Sequence, residues 1–256
     1  TPFSKAKPAA DKIVAAALEL DVAQEGIIAG SIRRGRTTIG DVDILIASDD
    51  AAPIMEKFVN LPEIARVLGH GETKSSIELQ SGLQVDVRVV PKTRWGTAIQ
   101  YFTGSQAHNI KIREIALQQG YSLNEFALSP VDENRQIIPD AEKLTFETEE
   151  ALYEKLGLQW IPPELREDAG EIEQARQQKL PQLISISDIQ GDLHMHSTWS
   201  DGRLSVREMA EEARRRGLKY IVITDHSQRS VQANGLSAER LLQQQDEVRQ
   251  VNAELD

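Results

Sequence analysis

The chain has 256 residues, a formal net charge of −11 and no cysteine. The missing thiols exclude disulfides and thiolate metal sites, no run approaches the roughly 18 apolar residues of a membrane span, and no signal-peptide pattern occurs. Length and composition predict a soluble, intracellular α/β protein of two domains; a cytoplasmic monomer with α/β and α+β parts is expected.

A helix is predicted over residues 9–20, followed by a strand over Gly26-Ile27-Ile28-Ala29. The most informative stretch comes next: Gly30-Ser31-Ile32-Arg33-Arg34-Gly35, then, six residues on, Asp41-Val42-Asp43. Gly30 allows close approach of the backbone to phosphate, and Ser31 is placed to cap a short helix whose free N–H groups favour anions. The turn and its two arginines suit a triphosphate. Asp41 and Asp43 lie two apart in an apolar run, so on a strand they share a face. Two carboxylates on one face repel unless a divalent cation sits between them. Val42, Ile44 and Ile46 define the opposite, core-facing side.

Residues 49–67 read as a helical crossover. Residues 82–90 read as another strand, with Leu83, Val85, Val87 and Val89 on one face and Gln84, Asp86 and Arg88 on the other. Asp86 is the third carboxylate that a two-metal site needs from a neighbouring strand. Tyr101 and Phe102 then offer flat apolar surface, and Gly104 permits close approach. A helix opens near Asn109 and ends at Gly120, with Asn109 and Arg113 four apart on one face. His108 reads as a surface or packing residue. Short strands are expected around residues 125–128 and 136–139. The stretch from Ile161 is a stop signal, and residues 166–187 read as a helical linker with too few apolar positions for a robust core helix.

Taken together, GSIRRG, GDVDILI, LQVDVRVVP and YFTGS with its following Asn resemble the palm and thumb of the family X DNA polymerases over residues 26–165. The resemblance implies a nucleotidyltransferase palm over residues 1–90 with a mixed sheet, and a small α/β thumb over 91–165. It implies Asp41, Asp43 and Asp86 as ligands of Mg²⁺ or Mn²⁺. It implies Gly30, Ser31, Arg34 and Gly40 as triphosphate contacts, and Tyr101, Phe102 and Gly104 as the sugar pocket. Asn109 and Arg113 would lie along the minor-groove side of the nascent pair, with Arg88 beside the aspartates on the DNA side. The implied partners are a gapped or primed DNA and a dNTP. Gln84 departs from the family, which often has arginine there, and so does Gln106, where some members carry aspartate.

A second constellation runs from Gly191-Asp192-Leu193-His194-Met195-His196 to Asp201, with a strand over 220–224 ending in Asp225-His226. Two histidines at i and i+2, a carboxylate in the next turn and a strand-end histidine suit Mn²⁺ or Zn²⁺. DLHMHSTWSDG with ITDHS resembles the start of a PHP domain, a metal-dependent phosphoesterase on a distorted β/α barrel. The resemblance implies His194, His196, Asp201 and His226 as metal ligands and a 3′–5′ exonuclease activity over residues 188–256. No histidine follows His226, so the ligand set is expected to be incomplete. The bacterial members carry DNA-binding segments before the palm, so the chain is expected to be a fragment of a longer polymerase.

The acidic net charge argues against nucleic acid only on average. Residues 30–36 carry three arginines and no acid; residues 88–113 carry Arg88, Lys92, Arg94, Lys111 and Arg113 and no acid. The expected function is template-directed gap-filling DNA synthesis. The alternatives are an activity dominated by phosphoester hydrolysis at the PHP site, and a non-catalytic DNA-binding scaffold.

Overall fold

A computed structural model describes residues 1–255. The chain divides into two compact units, Thr1–Pro181 and a second beginning at Gln182.

In the first unit, α1 (Phe3–Leu18) leads to β1 (Glu25–Ile28), a single helical turn α2 (Gly30–Arg33) and β2 (Asp41–Ala47). Then come α3 (Ala52–Val59), β3 (Ile64–His70), β4 (Lys74–Leu79) and β5 (Gln84–Val90). The five strands form one sheet in the order β1-β2-β5-β4-β3, in which β2 and β5 are parallel and the other pairs antiparallel. Apolar alternation decides the sheet's faces. Val42, Ile44, Ile46, Val85, Val87 and Val89 pack toward α1 and α3 in one core cluster. Each such side chain contributes about 1.5–3 kcal/mol on full burial.

The opposite face is covered at one end only. There α4 (Trp95–Thr103) lays Trp95, Ala98 and Ile99 on Ala29, Leu45 and Ala47. This is why Leu45, which shares the aspartates' face, is fully buried while Asp41 is exposed and Asp43 half-buried.

The chain continues through α5 (Gln106–Gln118), the short hairpin β6 (Tyr121–Leu123) and β7 (Leu128–Pro130), α6 (Glu149–Lys155) and α7 (Glu171–Arg176). These elements enclose a separate core built on Ile112, Leu128, Leu152, Tyr153 and Ile161.

Several sequence-based expectations give way here. The first helix begins at Phe3 and contains Pro8. The crossover helix stops at Val59, and residues 64–67 belong to β3. Residues 125–127 form a turn, in which the Asn124 side-chain amide oxygen accepts from the N–H groups of Phe126 and Ala127. Residues 136–139 make only an isolated bridge, Ile137 to Val131. Most of the expected linker is part of the first unit: Ala175 is fully buried, with Leu165, Ile172 and Leu180 packed against the same core. Four apolar side chains suffice because they close a core supplied by other elements.

The second unit contains β8 (Gly191–Met195), α8 (Val206–Arg215), β9 (Tyr220–Ile223) and α9 (Ala238–Leu255), with β8 and β9 paired in parallel. Ser205 opens α8 with a reciprocal capping box to Glu208. Among the described residues, no helix is long and apolar enough to cross a membrane.

Candidate active site

Parallel pairing of β2 with β5 sets Asp43 directly beside Asp86, and Asp41 beside Gln84. Strand alternation returns Asp41 to the same face as Asp43. Three carboxylates are therefore gathered at the end of the sheet that α4 leaves open.

Their surroundings differ. Burial, then repulsion from Asp41 and Asp86, raises the Asp43 pKa to about 6, against the pull of Arg88 and Lys74. Burial also pushes Asp86 upward, but bonds from Gln84 and Ser76 and the Lys74 ammonium outweigh it and hold Asp86 below the usual carboxylate value. Gln84 Nε2 donates to Asp86 Oδ1 at 3.0 Å, and Lys74 Nζ lies 3.3 Å from Asp86 Oδ2. Gln84 is thus a neutral donor that steadies the Asp86 carboxylate. Lys74 and Ser76, on a strand with no motif of its own, were invisible in the sequence; only the β4–β5 register brings them to Asp86.

Gly30 has φ +58°, and a Cβ there would stand 2.6 Å from Asp43 Oδ2. Glycine is required both by the left-handed backbone and by the approach of the aspartate. Ser31 does not cap α2: the cap position is Ala29, without a side-chain bond. The Ser31 hydroxyl is instead buried with no partner. Gly40 has open space around it, so no steric demand for glycine exists at that position.

The two arginines of the turn diverge. Arg33 turns away from the aspartates, donating to Thr103 Oγ1 at 2.6 Å and to both oxygens of Glu149 at 3.0 and 2.7 Å. Arg34 donates from Nε to Glu167 Oε1 at 2.9 Å and from Nη1 to the Thr103 carbonyl at 2.6 Å. Neither glutamate carries a sequence signal, since both lie more than 110 residues from their partners.

The end of α4 supplies the aromatic wall. Tyr101 and Phe102 meet edge to face at 5.1 Å, and the Arg88 guanidinium lies 4.4 Å from the centre of the Phe102 ring. Arg88 Nε is buried without a hydrogen-bond partner. Gly104 has φ +69°, and a Cβ there would come 3.2 Å from Arg34 Nη1. Asn109 is held by Gln100 Nε2, which donates to its Oδ1 at 2.9 Å, and by its own Nδ2, which donates to the Tyr101 carbonyl at 2.7 Å. Arg113 is exposed one turn on, and its Nε donates to the Asn109 carbonyl. His108 is fully buried, bonded to Glu171 and Tyr153 at 2.8 Å each, and burial lowers its pKa.

In the second unit, His196, Asp201 and His226 bring one ligand atom each within 4.8 Å of one another. His196 Nδ1 and Asp201 Oδ1 are 2.9 Å apart, and His226 Nε2 and Asp201 Oδ2 are 3.5 Å apart. His194 stands outside this group, on an exposed strand position with its ring 5.2 Å from that of His196. Asp225 ties the turn together, accepting from Ser197 N at 2.8 Å and from the hydroxyls of Ser197 and Ser200. Among the described residues this is the one group so tightly gathered. The carboxylates of Asp41, Asp43 and Asp86 are not all within that distance of one another.

A mixed sheet presenting three carboxylates beside a glycine–serine turn defines a nucleotidyltransferase palm. Family models agree: DNA polymerase beta palm matches residues 2–95, DNA polymerase beta thumb residues 98–167, and PHP domain residues 192–252. The chain belongs to the family X DNA polymerases, in the branch that joins palm and thumb to a PHP domain. It is 44% identical over 230 residues to "DNA polymerase/3'-5' exonuclease PolX" of Bacillus subtilis (strain 168), covering 89% of this chain and 39% of that protein. It is 31% identical over 162 residues to DNA polymerase lambda of Rattus norvegicus and 28% identical over 166 residues to that of Arabidopsis thaliana. Each covers 55% of this chain, and the chain spans 28% and 31% of them.

Proposed function

We propose that the first unit performs template-directed transfer of dNMP from a dNTP to a primer 3′-hydroxyl. The observation that carries this reading is the register of Asp43 against Asp86, with Asp41 on the same face. Three crowded carboxylates, one with its pKa raised to about 6, fit divalent cations. Asp41, Asp43 and Asp86 would hold Mg²⁺ or Mn²⁺, which would neutralise phosphate charge and lower the pKa of the attacking hydroxyl. The chain's own groups position the rest. The unpartnered Ser31 hydroxyl and Arg34 suit the triphosphate. Tyr101 and Phe102 bear on the sugar. Asn109, locked to the Tyr101 carbonyl, and Arg113 face the nascent pair and DNA.

The test is incorporation of a labelled dNTP on gapped DNA with Mg²⁺. Asp86→Asn should lower the rate by about three orders of magnitude, several kcal/mol of lost charge stabilisation. A variant at wild-type rate would sink the assignment.

A second activity is supported by the tight His196–Asp201–His226 group. Its chemistry suits Mn²⁺ or Zn²⁺ and phosphoester hydrolysis, in keeping with the 3′–5′ exonuclease in the Bacillus subtilis relative's name. Paramagnetic resonance should detect Mn²⁺ bound to the wild-type chain. His196→Ala should weaken that binding at least tenfold, and undiminished binding would place the metal elsewhere.

A further inference from the structure

Arg34 is the guanidinium that suits the triphosphate, and it already holds an anion. Its Nε donates to Glu167 Oε1 at 2.9 Å, and Arg36 Nη1 lies 3.8 Å from the same oxygen. Glu167 is carried on a firmly held segment. The preceding Arg166 side chain is fully buried against Glu149, and its carbonyl accepts from Ser105 N at 3.0 Å. The Glu167 carboxylate is therefore delivered to Arg34 by the thumb core rather than by a wandering loop.

The exposures are unequal in a useful way. The Arg34 side chain is 14% exposed and held a second time by the Thr103 carbonyl, whereas Glu167 is 31% exposed. The carboxylate is the partner open to water, and the guanidinium is the one with a second anchor. A carboxylate and a phosphate compete for the same planar donors.

We propose that Glu167 is a specificity-determining residue of the nucleotide pocket: it occupies Arg34 as an internal anion, and a ligand gains that guanidinium only by displacing it. This deepens the reading of Arg34 as a triphosphate contact and rests on it. An isolated small anion meets Arg34 already neutralised and has little with which to displace the carboxylate. A dNTP anchored by its sugar and base presents its phosphates at high effective concentration and displaces it. When pyrophosphate has lost the nucleotide's anchorage, Glu167 returns to Arg34 and favours its departure.

The experiment is calorimetric titration of the chain with dATP in Ca²⁺ and, separately, with inorganic pyrophosphate in Ca²⁺. Wild type, Glu167→Gln, Glu167→Ala and Arg34→Ala are compared. Freeing a binding-competent state that is populated only in part should tighten dATP binding about three- to tenfold in both Glu167 variants, and pyrophosphate binding at least as much. Unfolding temperatures should stay close to wild type, because a partly exposed ion pair contributes little to folding. Arg34→Ala should weaken dATP binding. If it does so while the Glu167 variants bind both ligands no more tightly than wild type, the proposal is overturned and the Arg34 reading stands. If Arg34→Ala leaves dATP affinity unchanged, the Arg34 reading falls and the proposal falls with it.

Discussion

Asp43→Asn should abolish nucleotide incorporation and, at the same time, make the metal-free protein more stable above pH 7. The loss of activity should reach about three orders of magnitude, because one of three crowded carboxylates is removed. The gain in stability follows from linkage. The Asp43 pKa lies at about 6 against an ordinary 3.8, so the folded protein holds this proton more tightly than the unfolded chain does. The associated stability is fully present below about pH 4 and is lost as pH rises through about 6. A proton held up to about pH 6 rather than 3.8 corresponds to up to about 3 kcal/mol of destabilisation at neutral pH. Asparagine is neutral throughout. Thermal unfolding of the variant should therefore run several degrees above wild type at pH 8 and coincide with it at pH 4. Adding Mg²⁺ should narrow the difference at pH 8 by stabilising wild type alone. Equal unfolding temperatures at both pH values without metal would show that Asp43 is not crowded.

Glu149→Ala should be the most destabilising single change around the site, costing about 3–5 kcal/mol. Glu149 is 4% exposed and accepts from Arg33, from Arg166 at 2.6 Å and from Trp160 Nε1 at 3.2 Å. Burial would raise its pKa, but the two guanidiniums outweigh this and hold it below the usual value. The carboxylate is thus ionised at neutral pH and compensates the buried Arg166 and the partly buried Arg33. Without it, the fully buried Arg166, whose Nη2 already lacks a partner, would stand uncompensated. Urea unfolding should show a large fall in midpoint with little change in slope. Glu149→Gln, which preserves shape and hydrogen-bond acceptance, should cost less than alanine. Because Arg33 neighbours Arg34, the KM for dNTP should rise in both variants. A Glu149→Ala protein as stable as wild type would mean that the buried network contributes nothing to folding.

The strands that carry the aspartates were legible because their signals are local. Alternation of Val85, Val87 and Val89 against Gln84, Asp86 and Arg88 is written in period two, and the Gly30-Ser31 turn is contiguous. The same logic misled where partners were distant. Leu45 could not be read as buried on the acidic face, since α4 covers it from fifty residues away. Residues 166–180 looked too poor in apolar side chains to pack, yet Ala175 closes a core furnished mostly by other segments.

By itself, then, the amino-acid sequence singled out the candidate groups: three aspartates, a serine–arginine turn, an aromatic pair with its asparagine, and a histidine–aspartate cluster. Tertiary structure alone decided where each stands and what it contacts. It turned Arg33 to Glu149 and Arg34 to Glu167, set Lys74 and Gln84 on Asp86, and left His194 outside the group formed by His196, Asp201 and His226. The physical reason is range. Strand alternation and turn geometry act over a few residues, whereas ion pairing and burial depend on groups brought together from across the chain.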